Sequence, residues 1–338
     1  MMQTVSISIE NLCVPCHASC RHCLLCAGGP ANGVEAERGM QFAARFLTRL
    51  QADRPDLHGS FYMGCCNDFP QLQAYVRFLR QYSPMIDVLQ CNGFAFHPDE
   101  EIDDIMRMLR GEGMRGIDLT FYGSEQAHDA FARRQGDYAH LMQLLRSAHA
   151  HGLRVHVGVP LLKGNADSLP ALFDALAPHS VEQYFTFLPH AKGRGWQLEG
   201  DRLTTEDFLA LCAPAKAHFS HVPHKTEAEW LRVGGFPVMT RRHLTLALTQ
   251  TTIDRLESMM PERIISELEA MDDAYYTALP PIEVLAAACG KPDNRQLFRF
   301  RDLYLVWQKR WWQTHPLIVR DMNDERGCFS VRMADTVI

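Results

Sequence analysis

Apolar and polar residues along the first two thirds of the chain follow two periods that take turns. Short runs rich in β-branched and aromatic residues, at 4–10, 60–64, 86–91, 116–122, 154–161 and 182–188, read as strands. Between them, 35–51, 70–81, 98–110, 138–150 and 168–176 place apolar residues three and four apart, as amphipathic helices do, and Gly152 in "AHAHGLRV" marks a helix stop. Strict alternation of strand and helix predicts parallel strands joined by right-handed crossovers. Six such units predict an α/β fold, a partial (β/α)6 TIM-like barrel, whose chemistry sits on the loops at the C-terminal ends of its strands.

From 204 onward the pattern turns mostly helical, through "LTTEDFLALCAPAKAHF", "TRRHLTLALTQTTIDRLESM", "PERIISELEAMDDAYYTAL" and "QLFRFRDLYLVWQKRWWQTH". The expected division is a barrel core over 1–203 and a mainly helical C-terminal region over 204–338 that caps the barrel or binds substrate. The boundary follows the Gly-rich stretch "GRGWQLEGD". Tyr304, Trp307 and Trp311 fall on one helical stripe and are read as packed core.

Composition narrows the function classes. A chain of 338 residues with 46% hydrophobic and 22% charged residues buries a full core without covalent staples. A formal charge of -6 argues against nucleic acid as a partner. With no signal-peptide pattern and no apolar run near the roughly 20 residues of a membrane span, the expectation is a cytoplasmic protein away from membranes. Eleven cysteines are too many to ignore and odd in number, so in a reducing compartment metal or catalytic use is favoured over disulfides.

Five of those cysteines lie in the fourteen residues "CVPCHASCRHCLLC", Cys13 to Cys26. A zinc ribbon needs a long excursion between its CxxC pairs, yet only His17, Ala18 and Ser19 separate Cys16 from Cys20. Cys16, Cys20 and Cys23 spell C-x3-C-x2-C, a short loop able to turn three thiolates toward three corners of a [4Fe–4S] cube and leave the fourth iron open. Cys13 and Cys26 offer alternative registers, or stay buried or free thiols.

This spacing, placed just after the first strand "TVSISIEN", resembles the defining motif of the radical S-adenosylmethionine (SAM) superfamily. The resemblance spans about 5–211. Within it, "YMGCCNDFP" resembles the family's Gly-Gly-Glu stretch, with Gly64 and Cys65 as backbone contacts to the amino group of S-adenosyl-L-methionine. There Asp68 is either a displaced acid or a helix N-cap. In "LQCNGF", Asn92 faces SAM or simply forms a tight turn with Gly93. Thr120 and Tyr122 alternate onto one side of the fourth strand and meet the ribose, while Gly158 in "VHVGVPLLKGN" admits the adenine, with Asn165 at the mouth. Arg194 in "FTFLPHAKGRGW" is presented for a carboxylate, or is a plain loop arginine.

The stretch "LTFYGSEQAHDAFARRQGDYAHLM" resembles the peptide-modifying SPASM/twitch branch, in which His128 is a catalytic candidate; a capping role beside Asp129 is the plainer reading. That branch's auxiliary-cluster domain is missing, because only Cys212, Cys289 and Cys328 follow the core. Cys65, Cys66 and Cys91 end strands on the expected active face, so Cys66 and Cys91 are also candidates for hydrogen-atom donation or a further metal, against the simpler case of inert buried thiols.

The resemblance implies an enzyme that holds a [4Fe–4S] cluster on Cys16, Cys20 and Cys23 and takes one electron from a flavodoxin- or ferredoxin-type donor. It implies reductive cleavage of SAM to a 5′-deoxyadenosyl radical that abstracts hydrogen from a peptide or small-metabolite substrate. Two other readings stay open. One is a non-catalytic iron–sulfur or zinc redox sensor or carrier using four of the five clustered cysteines; the other is a scaffold that has lost SAM binding.

Overall fold

The computed structural model describes residues 3–25, 32–64, 66–233, 235–236 and 241–315. The strands β1 (Gln3–Asn11), β2 (His58–Met63), β3 (Val88–Gln90), β4 (Gly116–Thr120), β5 (Arg154–Pro160) and β6 (Gln183–Phe187) occupy the six runs that the alternation picks out. Helices α1 (Ala36–Asp53), α2 (Leu72–Tyr82), α3 (Asp99–Gly111), α4 (Glu125–Ala132), α5 (Asp137–Ala150) and α6 (Leu169–Leu176) connect them.

The C-terminal region adds α7 (Thr205–Ala210), α8 (Ala213–Ala217), β7 (His224–Thr226), α9 (Glu227–Arg232), β8 (Arg241–Ala247), α10 (Ile253–Glu257), α11 (Pro261–Ala278), α12 (Ile282–Cys289), β9 (Leu297–Arg299) and α13 (Phe300–Trp312).

Two parallel sheets, ordered β2-β1-β8 and β3-β4-β5-β6, line a common cavity and form a partial TIM-like barrel with a mainly helical extension. Ile7 and Ile9 of β1 are fully buried on the helix side, in one cluster with Phe42, Phe46 and Leu50 of α1. Each such side chain contributes about 1.5–3 kcal/mol by leaving water. α1 starts where it does because the Glu35 carboxylate accepts from the backbone N–H groups of Glu37 and Arg38.

The strand β8 departs from expectation, since 241–247 sits in a stretch whose pattern reads as helix. It pairs in parallel with β1, His243 beside Ser6 and Thr245 beside Ser8. The physical reason lies in its own alternation. Arg242, Leu244 and Leu246 are buried on the helix side, where Arg242 Nε meets Asp272 of α11 at 2.8 Å, while His243 and Thr245 take the opposite face. A buried guanidinium is tolerated there only because α11 supplies its counter-charge.

The rest of the tail builds a second core in which Trp230, Phe298, Phe300, Leu303, Tyr304 and Trp307 pack with Ala191. Tyr304 and Trp307 are buried and Trp311 packs against the same cluster, so the aromatic stripe is core, as its spacing predicts. At its centre the fully buried Glu227 carboxylate accepts from Trp307 Nε1 at 2.7 Å, Arg310 at 2.7 Å and the Lys291 N–H at 2.9 Å.

Candidate functional site

The cysteine loop leaves the C-terminal end of β1 and is held mainly by backbone. The N–H groups of Ser19 and Arg21 donate to the carbonyls of Ala132 (3.0 Å) and Phe131 (3.1 Å), the unpaired acceptors at the end of α4. α4 stops there because Arg133 turns left-handed, with φ 55°. On the opposite flank Arg194 donates from its backbone N–H to Cys23 O (2.9 Å) and from Nε to Cys20 O (2.8 Å).

Two glycines make these approaches sterically possible. Gly93 (φ +81°) lies against the Cys16 sulfur, and Gly193 (φ +57°) against the carbonyls of Cys23 and Leu24; a Cβ at either would collide.

The three sulfurs are electrostatic neighbours. Burial, with charge on Cys16 and Cys23 adding to it, pushes the Cys20 thiol up to about 12. A hydrogen bond with Cys66 raises Cys16 far above the ordinary thiol range, with burial adding to it. Thiolates packed this way repel one another until a cation joins them, so the donor set suits a metal group whose binding expels the protons. Among the described residues no three His, Cys, Asp or Glu side chains stand at the spacing of ligands to a single ion. Cys13 packs into the barrel core and burial lifts its thiol to about 11, while Cys26 and Cys65 lie outside the described residues.

Several residues read as cofactor contacts have other partners. Tyr122 is 2% exposed and lies beyond the end of β4, so it does not share a strand face with Thr120; it belongs to a small buried group against which Cys20 packs. Asn92 substitutes for a strand neighbour, accepting from the Thr120 N–H at 2.7 Å and donating to the Thr120 carbonyl at 3.0 Å. The space beside Gly158 is filled by the Phe185 ring. Asn165 holds carbonyls, donating to those of Pro160 (2.7 Å) and Tyr122 (2.9 Å). Asp68 does not cap α2, which starts at Leu72 after Gln71; it accepts from the Ala95 N–H at 2.6 Å and contacts His97 Nε2 at 3.0 Å.

His128 is fully buried. Its Nδ1 accepts from the Tyr122 N–H at 3.2 Å, so its proton sits on Nε2 and points at Asp137 Oδ2, 3.0 Å away. It acts as a brace behind the cysteine loop and does not line the cavity. Cys91 is likewise fully buried, its thiol held protonated by burial and aimed at Leu89 O, which suits the inert role. Cys66 and Gly64 do line the cavity.

That cavity, of about 830 Å3, runs from the cysteine loop at Leu24 and Leu25 down between the sheets. Barrels ordinarily fill this space with bulky branched side chains. Here β1, β2 and β8 present rungs of small or polar residues: His58, Ser6 and His243, then Ser60, Ser8 and Thr245. His243 Nδ1 and Ser6 Oγ are 2.7 Å apart, while His243 Nε2 and Ser8 Oγ are buried with no protein partner among the described residues.

Apart from the residues that line this cavity, Asp118 on β4 carries a carboxyl that burial pushes up to about 6, its Oδ1 unpartnered among the described residues. Sequence reading passed over all of these. The signal was present as polar residues on alternate positions of otherwise apolar strands, "SISIE" and "GIDLT". The rim of the cavity carries Lys192, Arg301 and Asp302, the last two from α13.

No family model matches the sequence. Over 141 residues the chain is 26% identical to an Fe-coproporphyrin III synthase of Methanosarcina barkeri, a match that takes in 41% of this chain and 33% of that protein. The match thus spans about a third of the curated relative's length. In structure the chain is similar to Streptococcus suis SuiB bound to S-adenosylmethionine, with a TM-score of 0.50 and 10% identity over 72% of this chain and 59% of that one. The likeness is one of fold. A coproporphyrinogen III oxidase (HemN) from Escherichia coli, described as a radical SAM enzyme, overlaps 61% of this chain and 50% of its own at a TM-score of 0.39 and 15% identity.

Proposed function

We propose that this chain, whose cysteine motif and partial barrel resemble those of the radical SAM enzymes, is itself such an enzyme, with Cys16, Cys20 and Cys23 holding a [4Fe–4S] cluster. The observation that carries the reading is the cysteine loop, whose three thiols are fixed by backbone bonds from α4 and Arg194 and whose Leu24 and Leu25 line a cavity with polar rungs on one wall. A cluster held by these three cysteines, reduced and with SAM bound, would supply the reductive cleavage of SAM.

The chain's own residues do the rest. Gly64, between the loop and the cavity, presents backbone to the methionine part of SAM. The Arg194 Nη2 group, buried with no partner among the described residues, is available to a carboxylate. Ile7, Ile9, Leu244 and Leu246 seal the barrel wall from the helix side, which keeps water from a reactive carbon.

The substrate, a peptide or a small metabolite, occupies the polar rungs of β1, β2 and β8. Their unpaired buried atoms lose little when a ligand hydrogen-bonds to them and cost stability when none does. The electron comes from a flavodoxin- or ferredoxin-type donor.

The test is anaerobic reconstitution with iron and sulfide, followed by dithionite reduction and EPR with and without SAM. The expected result is close to four irons per chain by the chemistry of a single cube, and a reduced-cluster signal that changes on SAM addition. A cluster indifferent to SAM returns the protein to the carrier or scaffold reading, and stoichiometric zinc in place of iron refutes the cluster.

A further inference from the structure

We infer that His243 recognises the substrate: at the end of the cavity farthest from the cysteine loop, its Nε2 and the Ser8 hydroxyl bind an uncharged group that both donates and accepts, such as a hydroxyl. This deepens the enzyme reading above and rests on it.

The placement comes from strand register. β1 climbs from Ser6 through Ser8 to Glu10 and then enters the cysteine loop, so the rung of His58, Ser6 and His243 lies deepest and that of Ser60, Ser8 and Thr245 one step higher. All of these side chains line the cavity, as does Glu10. At about 3.3 Å per residue, Glu10 stands about 13 Å above Ser6.

Ser6 orients the imidazole, its Oγ lying 2.7 Å from His243 Nδ1. The other ring nitrogen, Nε2, is buried with no protein partner among the described residues, and so is Ser8 Oγ. The two residues are diagonal neighbours on adjacent strands, a separation that side chains span. A buried polar atom without a hydrogen bond costs stability, and two of them side by side are explained when a ligand supplies the bonds. Whether Nε2 donates or accepts depends on the tautomer that Ser6 selects, and a hydroxyl answers either.

Charge narrows the class further. Burial, with Arg241 adding to it, lowers the basicity of His243, so the ring is neutral at neutral pH. Among the described lining residues the charged groups stand above these two rungs, Glu10 on the next and Lys192, Arg301 and Asp302 at the rim. An ionised ligand group beside His243 would therefore lose its water and meet no counter-charge. Leu79, Ile86, Val88 and Leu89 line the same cavity and suit an apolar body above the uncharged end. Anchoring that end decides which carbon is held beneath the cysteine loop. His243 and Ser8 are thus specificity determinants, with Ser6 as the residue that positions the ring.

The test titrates the full chain with 8-hydroxyoctanoate, octanoate and octanedioate, followed by saturation-transfer NMR. The three probes share a carboxylate for the cations of the rim and differ only at the far end, which is a hydroxyl, a methyl or a second charge. The parent protein should bind 8-hydroxyoctanoate about fivefold more tightly than octanoate and about tenfold or more tightly than octanedioate. His243→Asn keeps a polar atom toward Ser6 and removes Nε2, and should lose the preference over octanoate; His243→Gln, whose amide reaches the Nε2 position, should restore most of it. Equal affinities in the parent, no binding of 8-hydroxyoctanoate, or an undiminished preference in His243→Asn overturns the inference. If His243→Asn does not fold, Ser8→Ala decides, with loss of the preference supporting the site and its retention refuting it. Iron content and the SAM-dependent EPR change are measured on the same preparation. A negative probe result beside a SAM-responsive cluster overturns this inference alone, whereas a parent that loads no cluster strikes the enzyme reading and the substrate role with it.

Discussion

The two sides of the barrel mouth are built on opposite plans. On the side of β4 and α4, the side chains that brace the cysteine loop are paired with one another: Asn92 with Thr120, His128 with Asp137, Asp129 with the N–H groups of Gly136 (2.6 Å) and Tyr138 (2.9 Å). On the side of β1, β2 and β8 the interior carries polar atoms that protein does not pair, and side chains too small to fill the space. The first plan suits a group whose geometry must not vary, the second a ligand that arrives and leaves. Under the proposed function, the contrast corresponds to cofactor support on one half of the barrel and substrate on the other.

The largest expected effect is on the braced side. Changing any one of Cys16, Cys20 or Cys23 to Ala should reduce iron incorporation to background, whereas Ser60→Ala on the cavity side should leave it at the parent level. Equal loss in both would erase the contrast.

Next comes Asp137→Ala. It leaves the His128 Nε2–H and Arg134 buried without their acceptor, and removing one member of such a network costs about 3–5 kcal/mol. Urea unfolding of the variant should show that loss, and a loss under about 1 kcal/mol would mean the brace is not one.

Asp118 sharpens the comparison through pH. In the fold it keeps its proton up to about 6, whereas it gives it up near 3.8 without burial. Its contribution is therefore fully present below pH 3.8 and lost as pH rises through 6. Replacing it with Asn should flatten the fall in stability between about pH 4 and 7 and raise stability at pH 7.5 by up to about 3 kcal/mol. Parallel pH–stability curves for parent and variant would show that Asp118 is paired in solution.

The smallest effect is expected at Ser8, whose hydroxyl is buried and unpartnered. Ser8→Ala should leave stability unchanged or raise it by about 1 kcal/mol. A loss of more than about 1 kcal/mol would reveal a structural bond, and with it a cavity wall less open to ligand.

Much of this architecture is legible in the sequence, and the exceptions have physical causes. The six core strands and the cysteine loop after the first are local patterns, set by period and by spacing. β8 is hidden because the seven residues of alternating character, "RRHLTLA", sit in a stretch that otherwise reads as helix, and because only the open edge of β1, a long-range fact, makes a strand of them. The eight-residue α4 is too short for its period to stand out between the turn at Gly123 and the left-handed Arg133. Strand alternation puts Tyr122 beside Thr120, but the rule holds only within a strand, and β4 ends at Thr120. The braces are invisible for a related reason: His128 and Asp137 are nine residues apart, and only the packing of α4 on α5 brings them together.

The measurement that bears most directly on the central claim is formation of 5′-deoxyadenosine by anaerobically reconstituted protein given dithionite and SAM, beside the variant lacking Cys16, Cys20 and Cys23. The account predicts 5′-deoxyadenosine and methionine in equal amounts from the parent protein and none from the variant. A parent protein with a reduced, fully assembled cluster that binds SAM and yields no 5′-deoxyadenosine, even over long incubation, would contradict it.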